Sequence, residues 1–145
     1  MENVKQSYGG GTFIYNASES DAIFTPEDFT DEQKMIAQTT EDYVLNEVVP
    51  VINNLENHEF DHSVRLLKKA GDIGLLGADV PEEYGGLGLD AISSALISEK
   101  MSRAGGFSIT HGAHVGIGTL PIVLFGTDEQ KQKYLPNSVT GDKIF

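Results

Sequence analysis

The sequence contains no cysteine. Disulfides, zinc–thiolate sites, iron–sulfur clusters and thiol catalysis are therefore excluded. A reducing cytosol fits such a chain better than a small secreted scaffold. Positive charge is scarce, with ten Lys and Arg against 22 Asp and Glu, a formal charge of −12. Nucleic acid is bound through a surplus of Lys and Arg, so it is not an expected partner. An anionic membrane surface is disfavoured for the same reason. The opening MENVKQSYGGGTF has no basic stretch leading into an apolar run. No signal peptide is read there, and a cytoplasmic location is expected. What is present is an ordinary globular composition, 39% hydrophobic in 145 residues, enough to bury one core.

Residues 1–24 read as a flexible arm. Gly9-Gly10-Gly11 breaks it, Phe13, Ile14 and Tyr15 are its apolar anchors, and Asn16-Ala17-Ser18 matches a glycosylation acceptor by chance. Helical signals follow. Thr25 precedes Pro26 as a cap, and Thr30 to Gln33 fits a capping box. Met35, Ile36, Tyr43, Val44, Val48, Ile52 and Leu55 keep helical spacing, which Pro50 is expected to kink or split. A second helix is expected over Val64 to Ile73, capped by Asp61 or Ser63 and ended at Gly71 or Gly74. Gly77 to Leu89 is a turn-rich loop, and Asp90 caps a third helix that Gly105-Gly106 stops. Phe107 to Phe125 is the most apolar segment. Thr127 to Gln130 is another capping box, opening a helix towards Leu135 that Pro136 bends or ends. Only residues 143–145 resemble a strand, and nothing is available to pair with them. The chain reads as all-α, five to six helices around a central apolar helix, cut from something longer.

Three motifs invite chemical readings. His58-Glu59-Phe60-Asp61-His62 matches H-E-x-x-H, in which two His one turn apart hold zinc and Glu serves as base. Its polar setting favours two surface His at a helix junction. Gly86 to Ala91 satisfies G-x-G-x-x-A, yet no strand precedes it, and Glu82 and Glu83 would repel a pyrophosphate. The bland reading is a tight turn into the Asp90 cap. Residues 104–127 carry no Asp, Glu, Lys or Arg and include Gly112-x-x-x-Gly116. Six Gly, two His and Pro121 argue against a membrane span. A helix buried all round, approached closely at its glycines, is expected instead. His111 and His114 are read as core residues with local hydrogen bonds. No residue is nominated as catalytic, cofactor-binding or metal-binding.

Taken together, several motifs carry a family resemblance. Gly74-Leu75-Leu76-Gly77, Pro81-Glu82-Glu83-Tyr84-Gly85-Gly86-Leu87-Gly88-Leu89-Asp90, Pro121-Ile122-Val123-Leu124-Phe125-Gly126-Thr127 and Lys133-Tyr134-Leu135-Pro136 resemble, in order and spacing, the N-terminal helical domain of the acyl-CoA dehydrogenases. Gly112-Ala113-His114 and the arm are more like the long- and very-long-chain branch. The resemblance implies an N-terminal helical domain over residues 25–140 and the start of a middle β-domain at 141–145. It implies α,β-dehydrogenation of acyl-CoA in fatty-acid β-oxidation, with a Glu base and FAD both held outside this chain. Electrons then pass to an electron-transfer flavoprotein, and the whole protein is a homo-oligomer. It further implies that Ile109, Thr110, Ala113 and Ile117 form part of the acyl-chain wall. Two other classes stay open. One is a non-catalytic helical binding or assembly module, and the other is a zinc hydrolase built on HEFDH.

Overall fold

The computed structural model describes residues 14–15 and 24–145. The arm expected over 1–24, with its triple glycine and Asn16-Ala17-Ser18, lies almost wholly outside the described residues. The chain divides into two units, Met1–Thr30 and Asp31–Phe145. In the first, Thr25 opens a single turn, Pro26–Asp28. The Asp28 carboxylate accepts the Thr25 N–H at 2.9 Å, and the Phe24 and Phe29 rings pack 5.6 Å apart.

The second unit is helical, and no strand occurs among the described residues. Its α-helices are α1 (Asp31–Tyr43), α2 (Ile52–Glu56), α3 (Phe60–Asp72), α4 (Ala91–Met101), α5 (Gly106–Gly112), α6 (Leu120–Phe125) and α7 (Asp128–Val139). A π-helical turn, Val44–Val48, and a tight turn, Val49–Val51, join α1 to α2. A second π-helical turn, Ala113–Thr119, joins α5 to α6 into one rod, Gly106–Phe125.

Both π turns end two residues before a proline, and the cause is local. Proline has no N–H, and its ring crowds the carbonyl four residues earlier. For Pro50 that carbonyl is Asn46; for Pro121 it is Ile117. The helix relieves the crowding by widening. In each case the last wide bond is donated by the residue just before the proline, Val49 N–H to Val44 O and Leu120 N–H to Val115 O. The break expected at Pro50 is thus present, but it begins six residues upstream of the ring. Pro136 behaves differently. It sits inside α7, which runs on to Val139 because Leu135, Ser138 and Val139 are buried.

Other boundaries depart from the sequence reading. Helix α3 starts at Phe60, not Val64, and neither Asp61 nor Ser63 caps it; Asp61 lies in its first turn. Gly71 does not end that helix. A β-carbon there would come within 2.7 Å of the Thr140 carbonyl oxygen, so Gly71 permits the close approach of α3 to the end of α7. The turn falls at Gly74, where φ is +83°. Residues 143–145 form no strand but fold back on the rod.

Helix α1 lies along α4, and the main core joins Tyr43, Val44, Val48, Leu66, Leu67 and Phe107. The Tyr43 hydroxyl donates to the Leu66 carbonyl at 2.8 Å, pinning α1 to α3. A smaller cluster, Val80, Tyr84, Leu135 and Val139, seats α7 under the glycine-rich loop.

Candidate functional site

The rod Gly106–Phe125 is long and apolar enough to cross a bilayer, but one side of it is tied into the helical packing. Phe107, His111, His114 and Thr119 are buried. His111 Nε2 lies 3.3 Å from the Leu75 carbonyl, and His114 Nε2 lies 2.9 Å from the Ser138 carbonyl. Both are core histidines as expected, but their hydrogen bonds are not local: the partners lie 36 and 24 positions away in sequence. Burial pushes both imidazoles down, His111 to about 4.

The expectation of a rod buried all round is not met. Ile109 is 75% exposed, Ile117 80% and Phe125 84%. A β-carbon at Gly112 or Gly116 would meet nothing within 4 Å, so these glycines open a surface and do not admit a neighbouring helix. The missing charge alone predicts burial on every side. It reflects instead an apolar face that this chain leaves uncovered. Of the four expected wall residues, Ile109 and Ile117 stand on that open face, and Thr110 and Ala113 lie half-buried. Leu124 and Phe125 are further large apolar side chains of the rod that this chain leaves uncovered.

The two other motifs lose their chemical readings on geometry. His58 precedes α3 with a left-handed backbone, φ +63°, and its ring packs edge-on to Phe60. His62 lies inside α3, 3.5 Å from the Glu59 carboxylate. The two His therefore do not share a helical face, and no cluster of three His, Asp or Glu suited to a metal occurs among the described residues. In the glycine-rich loop the backbone donors are already used. Gly86, Leu87, Gly88 and Leu89 N–H bond the carbonyls of Pro81, Gly77, Val80 and Ala78 at 2.8–3.2 Å. Gly86 lies so close to the Val80 backbone that a β-carbon would collide with it. No amide of that set remains to cradle a phosphate. The loop delivers Asp90, whose Oδ1 caps α4 by accepting Ser93 N–H and whose Oδ2 accepts the Gln33 amide, each at 2.7 Å. The Ser93 bonds hold its carboxyl below the usual range.

The family model described as "Acyl-CoA dehydrogenase, N-terminal domain" matches residues 30–142. The chain belongs to the acyl-CoA dehydrogenase family. A probable acyl-CoA dehydrogenase of Bacillus subtilis (strain 168) is 68% identical over 135 residues, covering 93% of this chain and 23% of its own length. An acyl-CoA dehydrogenase of the same organism is 37% identical over 79% of this chain and 30% of its own. The crystal structure of an acyl-CoA dehydrogenase from Bacillus anthracis, complexed with FAD, superposes with a TM-score of 0.91 at 67% identity. That match covers 95% of this chain and 24% of the other. The chain thus spans about a quarter of the length of these relatives, and is an N-terminal acyl-CoA dehydrogenase domain. FAD is the cofactor named in the Bacillus anthracis structure. The glycine-rich loop does not fit its pyrophosphate: the amides of residues 86–89 are spent and the loop is flanked by Glu82, Glu83 and Asp90.

Proposed function

We propose that this chain is the N-terminal domain of an FAD-dependent dehydrogenase that introduces the α,β double bond into acyl-CoA thioesters during fatty-acid β-oxidation. Its own part is to supply one wall of the acyl-chain pocket, through Ile109, Thr110, Ala113 and Ile117. Neither the base nor the flavin contacts are assigned to this chain. In the same reading residues 1–24 are the arm, 25–140 the helical domain and 141–145 the entry to a middle domain. The whole protein is then a cytoplasmic homo-oligomer that hands electrons to an electron-transfer flavoprotein.

The observation that carries the wall is the open side of the rod. It pairs exposed aliphatic side chains with glycines whose missing β-carbons face empty space. An acyl tail needs such a surface, apolar and without bulk, and gains about 0.8 kcal/mol for each methylene it buries there.

The test uses the protein encoded by the whole reading frame that contains this chain. Its flavin absorption is expected to bleach on anaerobic addition of a long-chain acyl-CoA. Ala113→Phe is expected to shift the kcat/KM profile towards shorter acyl chains while the bleaching survives. A bleaching enzyme with an unchanged profile removes Ala113 from the wall. A colourless protein removes the dehydrogenase reading.

A further inference from the structure

We infer that His114 is a positioning residue, a latch that in its neutral form holds the chain leaving α7 against the rod, and that a proton on Nδ1 opens it. The inference does not depend on what lies against the open face.

Four contacts build the latch. The Ser138 carbonyl accepts from Nε2 at 2.9 Å, so Nε2 carries the hydrogen. The Phe145 backbone N–H donates to Nδ1 at 3.2 Å, so Nδ1 presents its lone pair. The two partners together select one tautomer of the neutral ring. The Phe145 ring stacks on the imidazole, 5.9 Å between centroids and 18° between planes, with the Tyr134 ring edge-on behind it. Gly118, one turn along the rod, leaves the seat: a β-carbon there would overlap that of Phe145. One ring thereby joins the rod, the last turn of α7 and the outgoing segment.

A proton on Nδ1 would set two N–H donors against each other. The titratable and charged groups around the latch include His111 on the same rod, Tyr134 on α7, the ammonium groups of Lys133 and Lys143 and, in the 145-residue chain, the α-carboxylate of Phe145 itself. The two ammonium groups lie 5.2 and 5.9 Å from the Tyr134 ring centroid. Asp142 is turned towards Lys68. Burial favours the neutral imidazole. The latch is therefore closed above the ordinary histidine value and opens as pH falls below it.

The test is NMR on the 145-residue chain. Imidazole 15N shifts and couplings at pH 7.5 are expected to report a neutral ring protonated at Nε2. Amide exchange at Phe145 is expected to be slowed about tenfold at pH 7.5, the worth of one hydrogen bond, and released in acid. His114→Asn keeps an acceptor near the Nδ1 position, and should keep the slowing and lose its pH dependence. His114→Gln keeps only a donor near Nε2, and should lose the slowing. Gly118→Ala leaves the imidazole intact, and should free Phe145 at every pH. An Nδ1-protonated ring in the wild type overturns the inference, and that reading needs no variant to fold. So does a Phe145 amide that exchanges equally fast in wild type and His114→Gln, or an acid release unchanged in His114→Asn.

Discussion

Two places in this molecule use the same backbone device for different ends. Val44–Val48 and Ala113–Thr119 are both π-helical, and both end two residues before a proline. In the first, Val44 and Val48 are completely buried, and the widened backbone is a packed joint between α1 and α2. In the second, His114 and Thr119 are buried on one side, while Gly116 and Ile117 face outwards. Proline sets the width of the turn, because the crowded carbonyl has the same remedy in both places. The side chains decide what the turn is for. β-Branched residues fill the joint, and glycines leave the outer face of the rod bare.

The largest expected contrast is in pH dependence. Beside the joint, Tyr43 is buried with its hydroxyl on Leu66, and burial pushes the phenol up. Along the wall rod, burial pushes His111 down to about 4. Both groups are folded in their neutral forms, but they fail at opposite ends of the scale. Stability held by the histidine is full above about pH 6.5 and is lost as pH falls towards 4. Stability held by the phenol is full below about pH 10 and is lost as pH rises beyond it. For His111 the drop amounts to roughly 3 kcal/mol at the acid end. Urea unfolding between pH 8 and 4 should show this acid loss in the wild type, and His111→Gln should flatten it. An acid limb of equal depth in that variant would sink the assignment.

Truncated side chains separate the joint from the open face by less. Val48→Ala removes two buried methyl groups from a site with no exposure, and should cost about 2–3 kcal/mol. Ile117→Ala removes more carbon from a side chain that is 80% exposed, and should cost no more than about 0.5 kcal/mol. Both are read from denaturant midpoints at constant slope. A large loss at Ile117 would mean that the open face is covered in solution, by a second copy for instance, and its size would then depend on protein concentration.

Much of this was legible in the residues. Asp90, Thr127 and Pro26 mark helix starts because a cap is a local device, decided within four residues. Pro50 marks a break for the same reason. What was not legible depends on partners distant in sequence. Helix α3 begins four residues early without a side-chain cap. Gly71 looks like a helix stop, but serves a backbone crossing with Thr140, 69 positions away. The rod misled most. Its lack of charge is the same whether a face meets a core or meets nothing in the chain, and hydropathy does not distinguish the two. A wall of Ile109, Thr110, Ala113 and Ile117 is suggested by resemblance only; nothing in the sequence says which side of the rod stays open.

The smallest expected effect separates two glycines one half-turn apart. At Gly116 a β-carbon meets nothing, and the backbone is helical, so Gly116→Ala should stabilise the chain by about 0.5–1 kcal/mol through helix propensity. At Gly118 the same methyl overlaps Phe145, and Gly118→Ala should forfeit that gain or reverse it. Thermal midpoints of the two variants should therefore move apart by a few degrees. The outcome at Gly116 bears on the wall as well. A glycine that lowers stability where alanine would fit is hard to account for by folding alone. A stabler Gly116→Ala chain whose parent enzyme handles long acyl chains less well would show what the empty space serves. Equal midpoints for both variants would instead mean that the seat for Phe145 is not closed in solution.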